Sequence, residues 1–136
     1  MPFEITSPAI IHCGAGEFDK IPGETARLGR RAVVVTGSHL HGSDRIDALA
    51  NNLRNLGTEA FVAEPVTGEP TVDTVDDLAS FARDRSADVM DAIGGGSVMD
   101  CAKAAAVMVT NDGATEDYQL KKREIANPPI AQVFAP

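Results

Sequence analysis

Residues Asp91 to Met108 read "DAIGGGSVMDCAKAAAVM": a short apolar run ends in three consecutive glycines and resumes as an alanine-rich run. Glycine is entropically costly to order, so three together at such a junction imply a backbone that something else must approach closely. The apolar run Asp88–Ile93 predicts a buried strand, and Ser97 to about Thr110 predicts a helix. The glycines then lie at the carboxyl end of a strand and the amino end of a helix. In open parallel α/β sheets, free backbone N–H groups and the positive end of the helix dipole converge there, which suits a phosphate.

The flanking sequence repeats this alternation. "RRAVVVT" (Arg30–Thr36) predicts a strand buried on both faces, and "EAFVAE" (Glu59–Glu64) a second. A weak helix is expected over Ile21–Leu28, with Pro22 in its first turn and Gly29 ending it. Asp44–Leu56 places Ile46, Leu49, Leu53 and Leu56 on one helical face. "TVDTVDDLASFARDRS" similarly turns Val72, Val75, Leu78, Ala79 and Ala82 inward. Ala9–Cys13 predicts a further strand paired with Phe3–Ile5, and Ile130–Phe134 a last one after a looser segment. The succession defines an α/β fold with a doubly wound, mostly parallel sheet, right-handed crossovers and helices on both faces. With 136 residues, 43% of them hydrophobic, the chain is expected to form one domain over 1–136.

Composition narrows the function. The formal net charge of −8, with no basic block longer than Lys121–Arg123, argues against nucleic acid or an anionic membrane as partner. No apolar segment reaches membrane-spanning length and no basic, apolar leader opens the chain, so a soluble, cytoplasmic protein is expected. Cys13 and Cys101 lack zinc-like spacing and are expected to be buried small hydrophobes. His39 and His41 read as loop histidines in solvent, and His12 as a core or edge histidine.

Other glycine motifs fail on their letters. No Lys-Ser or Lys-Thr pair follows Gly96 as a Walker A loop requires, and Met99 stands where a nucleophile elbow needs glycine. All three histidines precede Ser97, so the hydrolase triad order fails too. "GAGEFD" has Asp19 in place of the last glycine of a dinucleotide fingerprint. Two readings stay open for the stretch itself. Ser97 and Asp100 fit an S-x-x-D capping box, with Lys103 as a helix-surface partner of Asp100; capping alone, however, does not call for three glycines.

"GGGSVMDCAKA" resembles the GGGSxxDxAK signature of the iron-containing (group III) alcohol dehydrogenases, and "GAGEFDKIPGETARLGRRAVVVTGS", "VTGEPTVDTV" and "ADVMDAIGGGS" are similar to that family in order and spacing. The resemblance runs from about residue 10 to the end. It implies a Rossmann-like domain that holds NAD or NADP, with Gly94, Gly95, Gly96 and Ser97 as the pyrophosphate loop and Asp100 and Lys103 as the motif's acid and base. It places the adenine ribose at Thr36, Gly37 and Ser38. Many relatives carry an acid at the position of Gly37; glycine here admits NADP, with Arg45 in reach of a 2′-phosphate as one reading and a solvated residue as the other. Glu69 replaces the asparagine of the family's PNPT loop.

The resemblance further implies Fe²⁺ or Zn²⁺ in a C-terminal helical domain absent from this sequence, with alcohol or aldehyde substrates in the full enzyme. On that reading the chain is a truncated cofactor-binding portion, inactive alone, whose apolar surface near Ile130–Phe134 favours self-association. The alternative is a non-catalytic nucleotide- or phosphate-binding module on the same fold.

Overall fold

The computed structural model describes residue 10 and residues 12–136. Four strands form one sheet in the order β2-β1-β3-β4, all parallel: β1 (Arg31–Thr36), β2 (Glu59–Val62), β3 (Val89–Ile93) and β4 (Ala131–Ala135). The helices are α1 (Ile21–Leu28), α2 (Asp44–Asn55), α3 (Val72–Asp84) and α4 (Gly96–Thr110), with short 3₁₀ segments at Glu17–Lys20 and Thr115–Lys121. The expected pairing of Ala9–Cys13 with Phe3–Ile5 lies almost wholly outside the described residues.

Strand alternation splits β1 between two cores. Val33 and Val35 pack with Val75, Leu78, Val98 and Ala102 of α3 and α4, whereas Ala32 and Val34 pack with Ile21, Ile46, Leu49 and Leu53 of α1 and α2. All four β1 residues are fully buried, which explains the continuous apolar run: a strand covered on both faces has no polar side to present. Each buried valine contributes roughly 1.5–3 kcal/mol relative to exposure.

The strand order explains the two faces. The chain leaves β1 in one direction to reach β2 through α2, then returns across β1 through α3 to reach β3 and continues through α4 to β4. Crossovers of one hand that travel in opposite directions lie on opposite faces, so α2 sits on one side of the sheet and α3 and α4 on the other. β1 and β3 therefore bracket the point where the winding reverses.

Side-chain caps set two of the four α-helix starts. The Ser43 side chain accepts from the Ile46 N–H, and Thr71 and Thr74 form a reciprocal capping box on α3. Three expectations are corrected. Leu56 is exposed, because α2 ends at Asn55 and the chain turns away at Gly57 (φ 83°). Val72 is only half-buried, since it opens α3 at the rim of the core. Cys13 and His12 are exposed rather than buried, and neither belongs to a strand. His12 instead lies 3.4 Å from both Glu17 and Glu24 at the surface.

Candidate cofactor site

The glycine turn sits at the reversal point, between the carboxyl ends of β1 and β3. Its three glycines have different reasons to be glycine. Gly94 has φ 149°, which side chains of L-residues rarely adopt, and a Cβ there would stand 2.9 Å from Val98 Cγ2 and 3.6 Å from the Gly37 nitrogen. Gly94 thus lets α4 close against the ends of β1 and β3, and its N–H donates to the Ala135 carbonyl. Gly95 is different: its φ of −75° suits any residue, and a Cβ on Gly95 or Gly96 would meet nothing within 4 Å. The chain's own packing does not require glycine at these two positions. Their bareness leaves an open cradle over exposed backbone.

The cradle faces an unsatisfied helix start. Gly95 is the N-cap of α4, no side chain caps it, and the first turn carries no acid. The N–H groups at the first helical positions, Gly96, Ser97 and Val98, have no intrahelical acceptor and face the positive end of the helix dipole. This excludes the capping-box reading: Ser97 lies two residues inside the helix, because the strand ends at Ile93 and the turn consumes only Gly94 before Gly95 takes the cap. Asp100 and Lys103 do pair, at 3.9 Å, but both are exposed, and the Lys103 ammonium lies 5.4 Å from the Phe134 ring centroid.

On the neighbouring strand end, Gly37 forms a bridge with Val66, and a Cβ added there would lie 3.5 Å from Val98 Cγ2, ordinary contact distance. Ser38 is exposed and begins a turn closed by the His41 N–H donating to the Gly37 carbonyl. Gly37, Gly94 and the start of α4 therefore meet. Thr36 does not join them at the surface. It is fully buried, its carbonyl accepts from the Val66 N–H, and strand alternation turns its unpartnered hydroxyl toward the α1/α2 face, opposite α4. Arg45 holds its guanidinium 3.9 Å from the Phe18 ring centroid. Glu69, His39 and His41 are exposed. Cys101 is buried in the α3/α4 core, where burial pushes its thiol up to about 11 and leaves it unreactive at neutral pH. Among the described residues, no three His, Cys, Asp or Glu side chains gather as a metal site would require.

Two buried polar residues, one on β3 behind the site and one at the far end of α4, escape a reading of the sequence. Asp91, in the middle of β3, is fully buried with Thr25 of α1 against both carboxylate oxygens, and burial pushes its pKa up to about 7 despite the opposing hydrogen bond. The available signal was an aspartate inside an otherwise apolar strand. Asn111, after α4, accepts from the Ala126 and Asn127 N–H groups and donates to the Val107 and Asn127 carbonyls, which ties the following loop to the helix end.

A parallel, doubly wound sheet with a bare glycine turn at its switch point defines a Rossmann-like α/β domain. The chain belongs to the iron-containing alcohol dehydrogenase family, whose model matches residues 8–136. It is 36% identical over 115 residues to long-chain-alcohol dehydrogenase 1 of Geobacillus thermodenitrificans, covering 84% of this chain and 29% of that protein. It is 29% identical over 123 residues to a probable NADH-dependent butanol dehydrogenase of Bacillus subtilis, covering 90% of this chain and 32% of the relative. The fold superposes on the crystal structure of NADH-dependent butanol dehydrogenase A from Thermotoga maritima with a TM-score of 0.86 at 24% identity, over 98% of this chain and 34% of that one. The chain spans about a third of the length of the curated relatives it matches.

Proposed function

We propose that residues 1–136 are the dinucleotide-binding domain of an NAD- or NADP-dependent alcohol dehydrogenase. The observation that carries this reading is the cradle: Gly95 and Gly96 present bare backbone beside an uncapped helix start at the switch point of the sheet. Gly94, Gly95, Gly96 and Ser97 hold the pyrophosphate through backbone N–H groups. Gly37 and Ser38 meet the adenine ribose, and the Thr36 carbonyl, which accepts from the Val66 N–H, holds the end of β1 beside them. Asp100 stands about one turn and Lys103 about two turns further along α4, and the Lys103 ammonium adds positive charge on the side of the phosphates.

A bound nicotinamide supplies a hydride acceptor or donor for the interconversion of alcohol and aldehyde. This domain's part is to fix the cofactor's phosphates and ribose so that the ring is presented in one orientation. The Fe²⁺ that the family name implies, or Zn²⁺ in its place, and the small alcohol or aldehyde substrate are assigned to the helical remainder of a protein of the relatives' length. The NADH dependence named for the B. subtilis relative supports the cofactor class. Gly37, with no acid in its place, leaves room for a 2′-phosphate, so the reading covers both NAD and NADP.

No described helix is long and apolar enough to cross a membrane, and we place the protein in the cytoplasm. Phe134, 38% exposed on β4, supports either self-association or cover by further chain. The test is Gly95→Val: the side chain enters the cradle, dinucleotide affinity falls at least a hundredfold, and the fold persists. Unchanged affinity would refute the assignment.

A further inference from the structure

Helix α1 is held to the sheet by little. It has eight residues, and only Ile21, Pro22 and Thr25 are buried. Thr25 is its only buried polar side chain, and its hydroxyl lies 2.9 and 2.8 Å from the two oxygens of Asp91, sixty-six residues away on β3. A hydroxyl has one hydrogen to donate. When Asp91 is ionised, that hydrogen must serve two oxygens. When Asp91 is protonated, Thr25 donates to one oxygen and the carboxyl proton is donated back to Thr25 Oγ1, so both short contacts become hydrogen bonds.

Among the described residues, no charged group offsets an ionised Asp91. The charged residues of α1, Glu24 and Arg27, pair with each other at the surface, and Glu24 also faces His12. In the 3₁₀ segment before α1, Glu17 pairs with Lys20 and Asp19 is exposed. On α2, Arg45 lies over Phe18 and Arg54 donates to Asn51 and the Ala60 carbonyl, while Asp44 and Asp47 are exposed. On β1, Arg31 pairs with Glu59, and β4 carries no titratable residue. The remaining neighbours are Val34 and Val133, which flank Asp91 in register.

We propose that Thr25 and Asp91 form a proton-operated latch that fastens α1 to the sheet when the Asp91 carboxyl is protonated and releases it when the carboxylate forms. Release lets water reach Asp91, three residues before Gly94, so the strand that carries the glycine turn has a pH-sensitive joint on its other face. The direction follows from linkage. The buried carboxyl prefers its proton more than an exposed one does, so the closed form binds more protons than the open form between the ordinary aspartate range and about pH 7. Opening therefore increases with pH across that interval, by up to about tenfold per unit, and levels off above it.

Hydrogen exchange of the full chain, corrected for intrinsic exchange between pH 5 and pH 8.5, tests this without any dinucleotide. It therefore succeeds or fails separately from the cofactor reading. The α1 amides, including the Gly29 N–H bonded to the Thr25 carbonyl, should be less protected than those of β1 and lose protection as pH rises to about 7. Asp91→Asn reproduces the protonated carboxyl, an acceptor and a donor on one planar group, and should hold α1 closed with no pH dependence. Thr25→Val removes the latch and should raise α1 exchange at pH 5.5 at least tenfold. The proposal is overturned if the α1 amides match β1 at every pH, if wild type shows no slope, if the slope survives in Asp91→Asn, or if Thr25→Val exchanges like wild type.

Discussion

Replacing Gly94 and Gly96 separately by alanine divides the glycine turn into a part that holds the fold and a part that faces a ligand. At Gly94 the new Cβ is placed on a backbone with φ 149°, 2.9 Å from Val98 Cγ2 and 3.3 Å from Val98 Cβ. Backbone strain of this kind costs about 1–3 kcal/mol. Overpacking against a buried, β-branched neighbour adds about 1–3 kcal/mol, because Val98 cannot rotate its branch point away. The sum, about 3–4 kcal/mol as a central value, is a large share of the roughly 5–15 kcal/mol that holds a typical domain together. At Gly96 the added methyl meets nothing within 4 Å and sits at the first helical position, so stability should change by less than about 0.5 kcal/mol or rise by up to about 1 kcal/mol. Urea unfolding followed by far-UV circular dichroism reads both. A Gly94→Ala variant within about 0.5 kcal/mol of wild type would refute the claim that this glycine is fixed by geometry. A Gly96→Ala variant that loses more than about 1 kcal/mol would show that the cradle glycines serve the fold after all.

Further outcomes follow from the same geometry. Gly37→Asp should lower NADPH affinity relative to NADH, because a carboxylate at the end of β1 repels a 2′-phosphate and accepts from a ribose hydroxyl; an unchanged affinity ratio in a fluorescence titration would remove Gly37 from the ribose site. Global stability should decline from pH 5 to about pH 7 and then flatten. Asp91 binds a proton in the folded chain that the unfolded chain has already released, and Asp91→Asn should abolish that decline while raising stability at pH 8 by roughly 4 kcal/mol at most. Parallel unfolding curves for the two proteins across pH would contradict it. Asn111→Ala should cost about 3 kcal/mol by leaving the Ala126 and Asn127 N–H groups without acceptors. Calorimetry would detect it, and a loss below about 1 kcal/mol would mean that water replaces the side chain.

The elements were legible where one periodicity dominated. The valine run of β1, the apolar faces of α2 and α3, and the Ala-rich α4 all form within a residue or two of their expected bounds, because each element's burial follows directly from its spacing. The strand order was not written locally. That β1 and β3 are neighbours, and that the glycine turn therefore lies at the switch point, depends on long-range pairing. The division among Gly94, Gly95 and Gly96 was equally hidden, since it depends on where β3 stops and how near Val98 comes. Ser97 looked like a cap because its letters fit, yet the cap position was set by the length of the strand before it. The resemblance places Thr36 at the adenine ribose, but the period of the strand turns its side chain inward. Asp91 looked like one more residue of an apolar run. Only the approach of Thr25 from a helix far away in sequence shows how it is accommodated.

Calorimetric titration of wild type and Gly95→Val with NADH and NADPH, with and without Zn²⁺ or Fe²⁺, tests the cofactor cradle most directly. Wild type should bind dinucleotide whether or not metal is added, and Gly95→Val should bind at least a hundredfold more weakly while unfolding at a similar urea concentration. Equal affinity in the two proteins, or no binding by a folded wild type, would contradict it.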